Sequence, residues 1–192
     1  MDKLPELGPL LEEDALLLQA VIKMTDPKTV IEFGYHRGTS SRKMLEVLDQ
    51  DAKLISYDNT VDPSAVSKSD PRLTFMHKSQ DEFEPVDNID FVFLDASHEL
   101  EKNKTTFKQI LPHLRAGAII AVHDTGTWKE NYWKRDVGYG LPNGHWVHCP
   151  DEIHFVNWIK QEYPQIQQIH FVTTTKIRHG MTLLQTPLTL EV

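Results

Sequence analysis

The 192-residue sequence contains one cysteine, Cys149. That excludes a disulfide within the chain and a cysteine-based zinc knuckle. No apolar run approaches the length of a membrane span. The opening Met1-Asp2-Lys3-Leu4-Pro5-Glu6-Leu7 lacks the pattern of a secretory leader. Positive charge is also scarce, with 20 Lys and Arg against 28 Asp and Glu and a net charge of −8. Such a surface repels phosphate backbones and anionic lipid heads, which argues against nucleic-acid and membrane partners. Repeats, low-complexity tracts and Ser/Gly linkers are missing too. These absences leave a soluble, cytoplasmic protein, with residues 1–192 as a single domain. A chain of this size buries roughly 70% of its unfolded surface and needs no staple or metal to fold. Its oligomeric state, homo-oligomers included, is left open.

What is present alternates short apolar runs with helical patterns. An opening helix is predicted over about Pro9 to Met24, with Leu11, Ala15, Leu18 and Ile22 on one face and Thr25-Asp26-Pro27 ending it. Strands are predicted at Thr29 to Phe33, Lys53 to Tyr57, Leu73 to Met76, Ile89 to Leu94 and Ala118 to Val122. Helices are predicted at Thr39 to Leu48 and Glu99 to Leu114. Apolar strands separated by amphipathic helices imply parallel βαβ units with both sheet faces covered. After a long Gly-, Pro- and aromatic-containing segment, 125–150, come a helix over Asp151 to Glu162 and two runs, Ile166 to Thr173 and Gly180 to Gln185. Their short connection reads as an antiparallel hairpin at the sheet edge. The predicted fold is a doubly wound, Rossmann-like α/β domain with a mostly parallel seven-stranded sheet.

In such a sheet, ligands sit beyond the carboxyl ends of the strands. The first strand ends in Glu32-Phe33-Gly34-Tyr35-His36-Arg37-Gly38-Thr39-Ser40, where the two glycines allow close approach to a ligand. The second ends at Asp58, suited to accept both hydroxyls of a ribose. Glu32 stands where the dinucleotide fingerprint has its first glycine. A carboxylate there would repel a pyrophosphate and suits a ligand with a positive amino-acid end.

Together with Phe91-Val92-Phe93-Leu94-Asp95-Ala96-Ser97-His98-Glu99 and the run from Leu111-Pro112 to Val122-His123-Asp124, this pattern resembles class I methyltransferases that use S-adenosylmethionine (SAM). The likeness is to the small-molecule, catechol- and macrocin-like O-methyltransferases, and it spans about residues 25 to 126. It implies that Gly34 and Gly38 line the methionine and ribose part, with Glu32 near the amino group. Tyr35, Thr39 and Ser40 complete that turn. Asp58 would hold the ribose hydroxyls, Asn59 would touch the adenosine, and Ser79 and Gln80 would contact adenine. Asp95 would stand near the methionine amine or a divalent metal.

The chain departs from the family pattern at Ser97, which replaces a second carboxylate, and at Ala96, which replaces a glycine. Asp95 and Asp124 could bind Mg²⁺, and His123 as a ligand would favour a transition metal. Metal dependence therefore stays open. Asp95, His98 and His123 are the candidate catalytic residues, either histidine being able to deprotonate a hydroxyl near neutral pH. Segment 125–150, with Trp128, Tyr132 and Trp133, is predicted to be a lid or substrate loop. The expected activity is methyl transfer from SAM to a hydroxyl of a small molecule. Two readings compete with it: a non-catalytic SAM-binding protein, and a metal-dependent hydrolase or hydroxylase-like relative using Asp95, His98, His123 and Asp124.

Overall fold

Side chains of a β-strand point alternately to opposite faces, and the central strands here are apolar on both. In β1 (Thr29–Phe33), Val30 packs into one core while Ile31 and Phe33 pack into the other. In β4 (Ile89–Leu94), Phe91 and Phe93 face the first core, and Val92 and Leu94 the second. Ile119 and Ala121 of β5 (Leu114–His123) follow the former pair, Ile120 and Val122 the latter. Such strands must be covered on both sides, as in βαβ folds.

The computed structural model describes residues 10–66, 69–125, 151–172 and 180–188. The remaining elements are α1 (Glu12–Thr25), α2 (Thr39–Leu45), β2 (Lys53–Tyr57), β3 (Leu73–Met76), α3 (Leu100–Ile110), α4 (Asp151–Glu162), β6 (Gln167–Val172) and β7 (Gly180–Gln185). The sheet order is β3-β2-β1-β4-β5-β7-β6. The first five strands run parallel, and β7 lies antiparallel to both β5 and β6. The hairpin therefore continues the sheet with its second strand inside and its first at the edge. No helix among the described residues is long and apolar enough to cross a membrane. Of the predicted lid, 125–150, residues 126–150 lie outside the described residues, as does the start of the opening helix before residue 10.

Helices α1 and α2 cover the first face through Leu18, Ile22, Met44 and Leu45. Helices α3 and α4 cover the second through Phe107, Ile110, Phe155 and Ile159. Phe107 meets Phe155, Trp158 and Tyr163 edge-on, with ring centroids 5.2–6.0 Å apart. This aromatic joint fixes α4 against α3, and so fixes what the start of α4 carries.

Several boundaries differ from the sequence prediction: α2 stops at Leu45, three residues before the predicted end, and β6 spans Gln167–Val172 against the predicted Ile166 to Thr173. Helix α3 stops at Ile110 and tightens into a 3₁₀ turn, Leu111–His113, because Pro112 has no N–H for the helical ladder. Strand β5 begins at Leu114, four residues before the predicted start. Its pairing with β4 shifts between Ile89↔Leu114 and Phe91↔Ile119, so Arg115-Ala116-Gly117 lie in an irregularity rather than a loop. Helix α1 starts at Glu12, placing three acids, Glu12, Glu13 and Asp14, in its first turn.

Candidate active site

The carboxyl ends of the five parallel strands open on one pocket of about 550 Å³. From the turn after β1 and the start of α2 come Gly34, Tyr35, Thr39 and Ser40; beyond the ends of β2 and β3 come Asp58, Asn59, Ser79 and Gln80. Asp95, Ser97 and His98 follow β4, and His123 and Asp124 close the end of β5. Of the residues proposed from the sequence, only Glu32 and Gly38 do not line this pocket.

Glu32 lies beneath it, fully buried. Its carboxyl accepts hydrogen bonds from the hydroxyls of Ser40, Ser41 and Ser56. Burial disfavours the charge more than the three hydroxyls favour it, and the pKa rises to about 7. Between about 4.5 and 7 the folded protein therefore holds a proton that the unfolded chain has released. The stability contributed by this group is fully present below pH 4.5 and is lost as pH rises towards 7. Glu32→Gln is expected to remove that slope, an effect on the order of 3 kcal/mol. Urea unfolding at pH 5 and pH 7.5 measures it, and an unchanged slope would assign the titration elsewhere.

Gly34 and Gly38 both have positive φ, +104° and +69°. A Cβ on Gly34 would sit 2.3 Å from the carbonyl oxygen of Asp95, and one on Gly38 would sit 2.6 Å from the Tyr35 ring. The close approach these glycines permit is thus first to the protein itself. Gly34 lets β1 lie against the end of β4, and Gly38 makes room for a buried tyrosine.

Asp58 is anchored by donors from its surroundings. Oδ2 accepts from the His36 amide at 2.8 Å, and Oδ1 accepts from the Thr60 amide and hydroxyl at 2.8 and 2.7 Å. Partial burial pushes its pKa up, but these hydrogen bonds outweigh it and hold it below the usual carboxylate value. Gln80 is buried, and its amide serves the protein. Nε2 donates to Asn103 Oδ1 and Thr106 Oγ1, both at 2.9 Å, while Oε1 accepts from the Ser97 amide at 2.8 Å. Asn103 in turn donates to the Ser97 carbonyl at 3.0 Å. This network clamps the segment that carries Asp95 and His98 to α3.

At the other end of the pocket, four carboxyl groups meet two imidazoles. His123 Nδ1 is 3.1 Å from Asp95 Oδ1 and 3.5 Å from Asp124 Oδ1. Its Nε2 is 3.1 Å from Asp14 Oδ2, which reaches in from α1. His123 and Asp14 are both buried. Burial opposes the imidazolium, yet Asp95, Asp124 and the Asp14 hydrogen bond hold the His123 pKa well above its ordinary value. With both ring nitrogens facing carboxylates, His123 is poorly placed to take a proton from an acceptor.

His98 differs. It lines the pocket with a side chain that is 30% exposed. Its Nδ1 hydrogen-bonds Glu152 of α4 and lies 4.0 Å from Asp124 Oδ2. Glu152 is buried, and burial raises its pKa against the lowering effect of His98. Asp14 and Glu152 are the two members of this constellation that the strand-end motifs did not announce.

Strand order, the turn after β1 and the acid after β2 together define the class I methyltransferase fold. Residues 31–125 match the sequence model of a family described as a methyltransferase domain. It is 36% identical over 87 residues to L-olivosyl-oleandolide 3-O-methyltransferase of Streptomyces antibioticus, a match covering 45% of this chain. The match spans 19% of that longer relative, about a fifth of its length. Among solved structures, the O-methyltransferase of Bacillus cereus in complex with SAH superposes with a TM-score of 0.69 and 15% identity, over 93% of this chain and 82% of that one. TomG of Streptomyces achromogenes, an O-methyltransferase of tomaymycin synthesis solved with SAM, superposes with a TM-score of 0.67 and 18% identity, over 96% and 83%. At these identities the structural likeness concerns the fold.

Proposed function

We propose that this chain transfers the sulfonium methyl of SAM to a hydroxyl oxygen of a small molecule. The observation carrying this reading is that one pocket holds, at opposite ends, an anchored Asp58 and the imidazole–carboxylate constellation around His98 and Asp124. The first suits the paired hydroxyls of a ribose. The second suits an acceptor hydroxyl that must lose a proton. The SAM and SAH complexes of the structural relatives support the choice of cofactor.

The residues would divide the work as follows. Asp58 accepts the ribose hydroxyls with a carboxylate already fixed in place, so little ordering remains on binding. Asn59 and Ser79 border the nucleoside side of the pocket, and Gly34, Tyr35, Thr39 and Ser40 border the methionine side. Glu32 keeps the serines of α2 in position from below. Methyl transfer to oxygen requires in-line alignment and removal of the acceptor proton. His98, oriented by Glu152 at Nδ1, would take that proton at Nε2.

Carboxylate oxygens of Asp95 and Asp124 and a nitrogen of His123 all lie within 4.8 Å of one another. This donor set fits a divalent cation. Such an ion would be held by those three residues and would lower the pKa of a bound hydroxyl.

Calorimetric titration with SAM and SAH tests the reading, with micromolar binding expected. Asp58→Ala should weaken both by about ten- to hundredfold, the loss expected for hydrogen bonds to a charged acceptor. Equal affinity in wild type and variant would take Asp58 out of the site. Conversion of SAM to SAH in the presence of hydroxylated small molecules tests catalysis itself.

A further inference from the structure

We infer that Asp14 selects the ligating nitrogen of His123, which makes the site one that prefers a first-row transition ion to Mg²⁺. This rests on the methyltransferase reading only for the expectation that a cation belongs at Asp95 and Asp124.

The geometry comes from three distances. An octahedral ion with bonds of about 2.1 Å places adjacent ligand atoms about 3 Å apart. His123 Nδ1 stands 3.1 Å from Asp95 Oδ1 and 3.5 Å from Asp124 Oδ1, near that spacing. On the far side of the ring, Nε2 lies 3.1 Å from Asp14 Oδ2. Ligating histidines characteristically donate their other N–H to a carboxylate, which fixes the tautomer and makes the ligating nitrogen more basic. Asp14 is in that position, from a separate element and from the opposite side of the imidazole. It places the ring proton on Nε2 and leaves the Nδ1 lone pair directed between Asp95 and Asp124.

The donor atoms bear on the choice of ion. Mg²⁺ is a hard ion that takes oxygen ligands, whereas imidazole suits later first-row ions. One nitrogen among the three protein donors therefore tilts the choice towards Co²⁺ or Zn²⁺, with Mn²⁺, the weakest binder of the first-row series, serving as the paramagnetic probe.

The full chain, stripped with chelator, is titrated with Mn²⁺ and followed by electron paramagnetic resonance, with Mg²⁺ as competitor. One bound Mn²⁺ per chain is expected, held at least about tenfold more tightly than Mg²⁺. Spin-echo modulation from a directly bound nitrogen should appear and should vanish in His123→Asp, which also narrows the preference over Mg²⁺. Asp14→Ala should weaken Mn²⁺ by about 10–100-fold, with Asp14→Asn as the isosteric check should the alanine variant fold poorly. SAH binding, measured alongside, reports separately on the methyltransferase reading. Mn²⁺ affinity unchanged in both Asp14 variants would overturn the proposal. So would equal affinity for Mg²⁺. Failure to bind any of these ions would leave His123 as an imidazolium bridging the carboxylates, and would overturn it as well.

Discussion

His98→Ala should lower kcat by about 10²–10⁴-fold, the usual contribution of a positioned general base, while SAH still binds. The expectation follows from the contrast between the two histidines. His123 is buried with a carboxylate at each ring nitrogen, whereas His98 borders the pocket and has Glu152 behind it. A neutral imidazole whose Nδ1–H is held by a carboxylate presents Nε2 as its basic atom, and that tautomer is what proton abstraction requires. Steady-state kinetics with an acceptor found by screening, beside SAH calorimetry, makes the measurement. Full activity in the variant would move the base elsewhere and leave His98 a wall of the pocket.

Gly34→Ala is expected to be the most damaging small substitution for stability. Its φ of +104° disfavours any L side chain, and the added carbon would meet the Asp95 carbonyl oxygen at 2.3 Å and the carbonyl carbon at 2.8 Å. Both obstacles are backbone, so no rotamer change relieves them. A left-handed penalty of about 1–2 kcal/mol and an overpacking penalty of about 1–3 kcal/mol combine to roughly 2–5 kcal/mol. Urea unfolding should show a loss of that size. Moving Asp95 would also disturb the pocket, so the SAH-induced rise in melting temperature should shrink. Stability near wild type would mean that the ends of β1 and β4 can separate without cost.

How much of this was legible in the residues depended on what set each feature. The bounds of β1, β2, β3 and β4 could be read because short apolar runs stop at residues that favour turns, as at Gly34. Strand β5 was read short because Arg115-Ala116-Gly117 has the composition of a loop. Pairing across an irregularity is decided by the neighbouring strand, which local sequence does not record. Asp95, His98, His123 and Asp124 were visible because parallel strands bring their carboxyl ends to one edge.

Asp14 and Glu152 were missed because acids in the first turn of a helix have a ready explanation in the helix dipole. A sharper signal was available. Asp14 continues the buried stripe of Leu18, Val21 and Ile22, and Glu152 continues that of Phe155, Val156 and Ile159. An acid on the apolar face of a helix needs a buried partner, and here each found an imidazole. The three serines around Glu32 could not be paired from sequence, since Ser56 lies on β2 whereas Ser40 and Ser41 lie on α2.

The two acids arrive from opposite sides of the sheet, Asp14 with α1 and Glu152 with α4. The hydrophobic cores beneath those helices are separated by the β-strands and share no side chain, yet each has one carboxylate in the same constellation. Whatever tightens that constellation therefore acts on both layers at once. Occupancy of the pocket should slow amide hydrogen exchange at the starts of α1 and α4 together, although the helices lie on different faces. The constellation thus acts as a keystone, joining two otherwise separate halves of the fold into one cooperative unit.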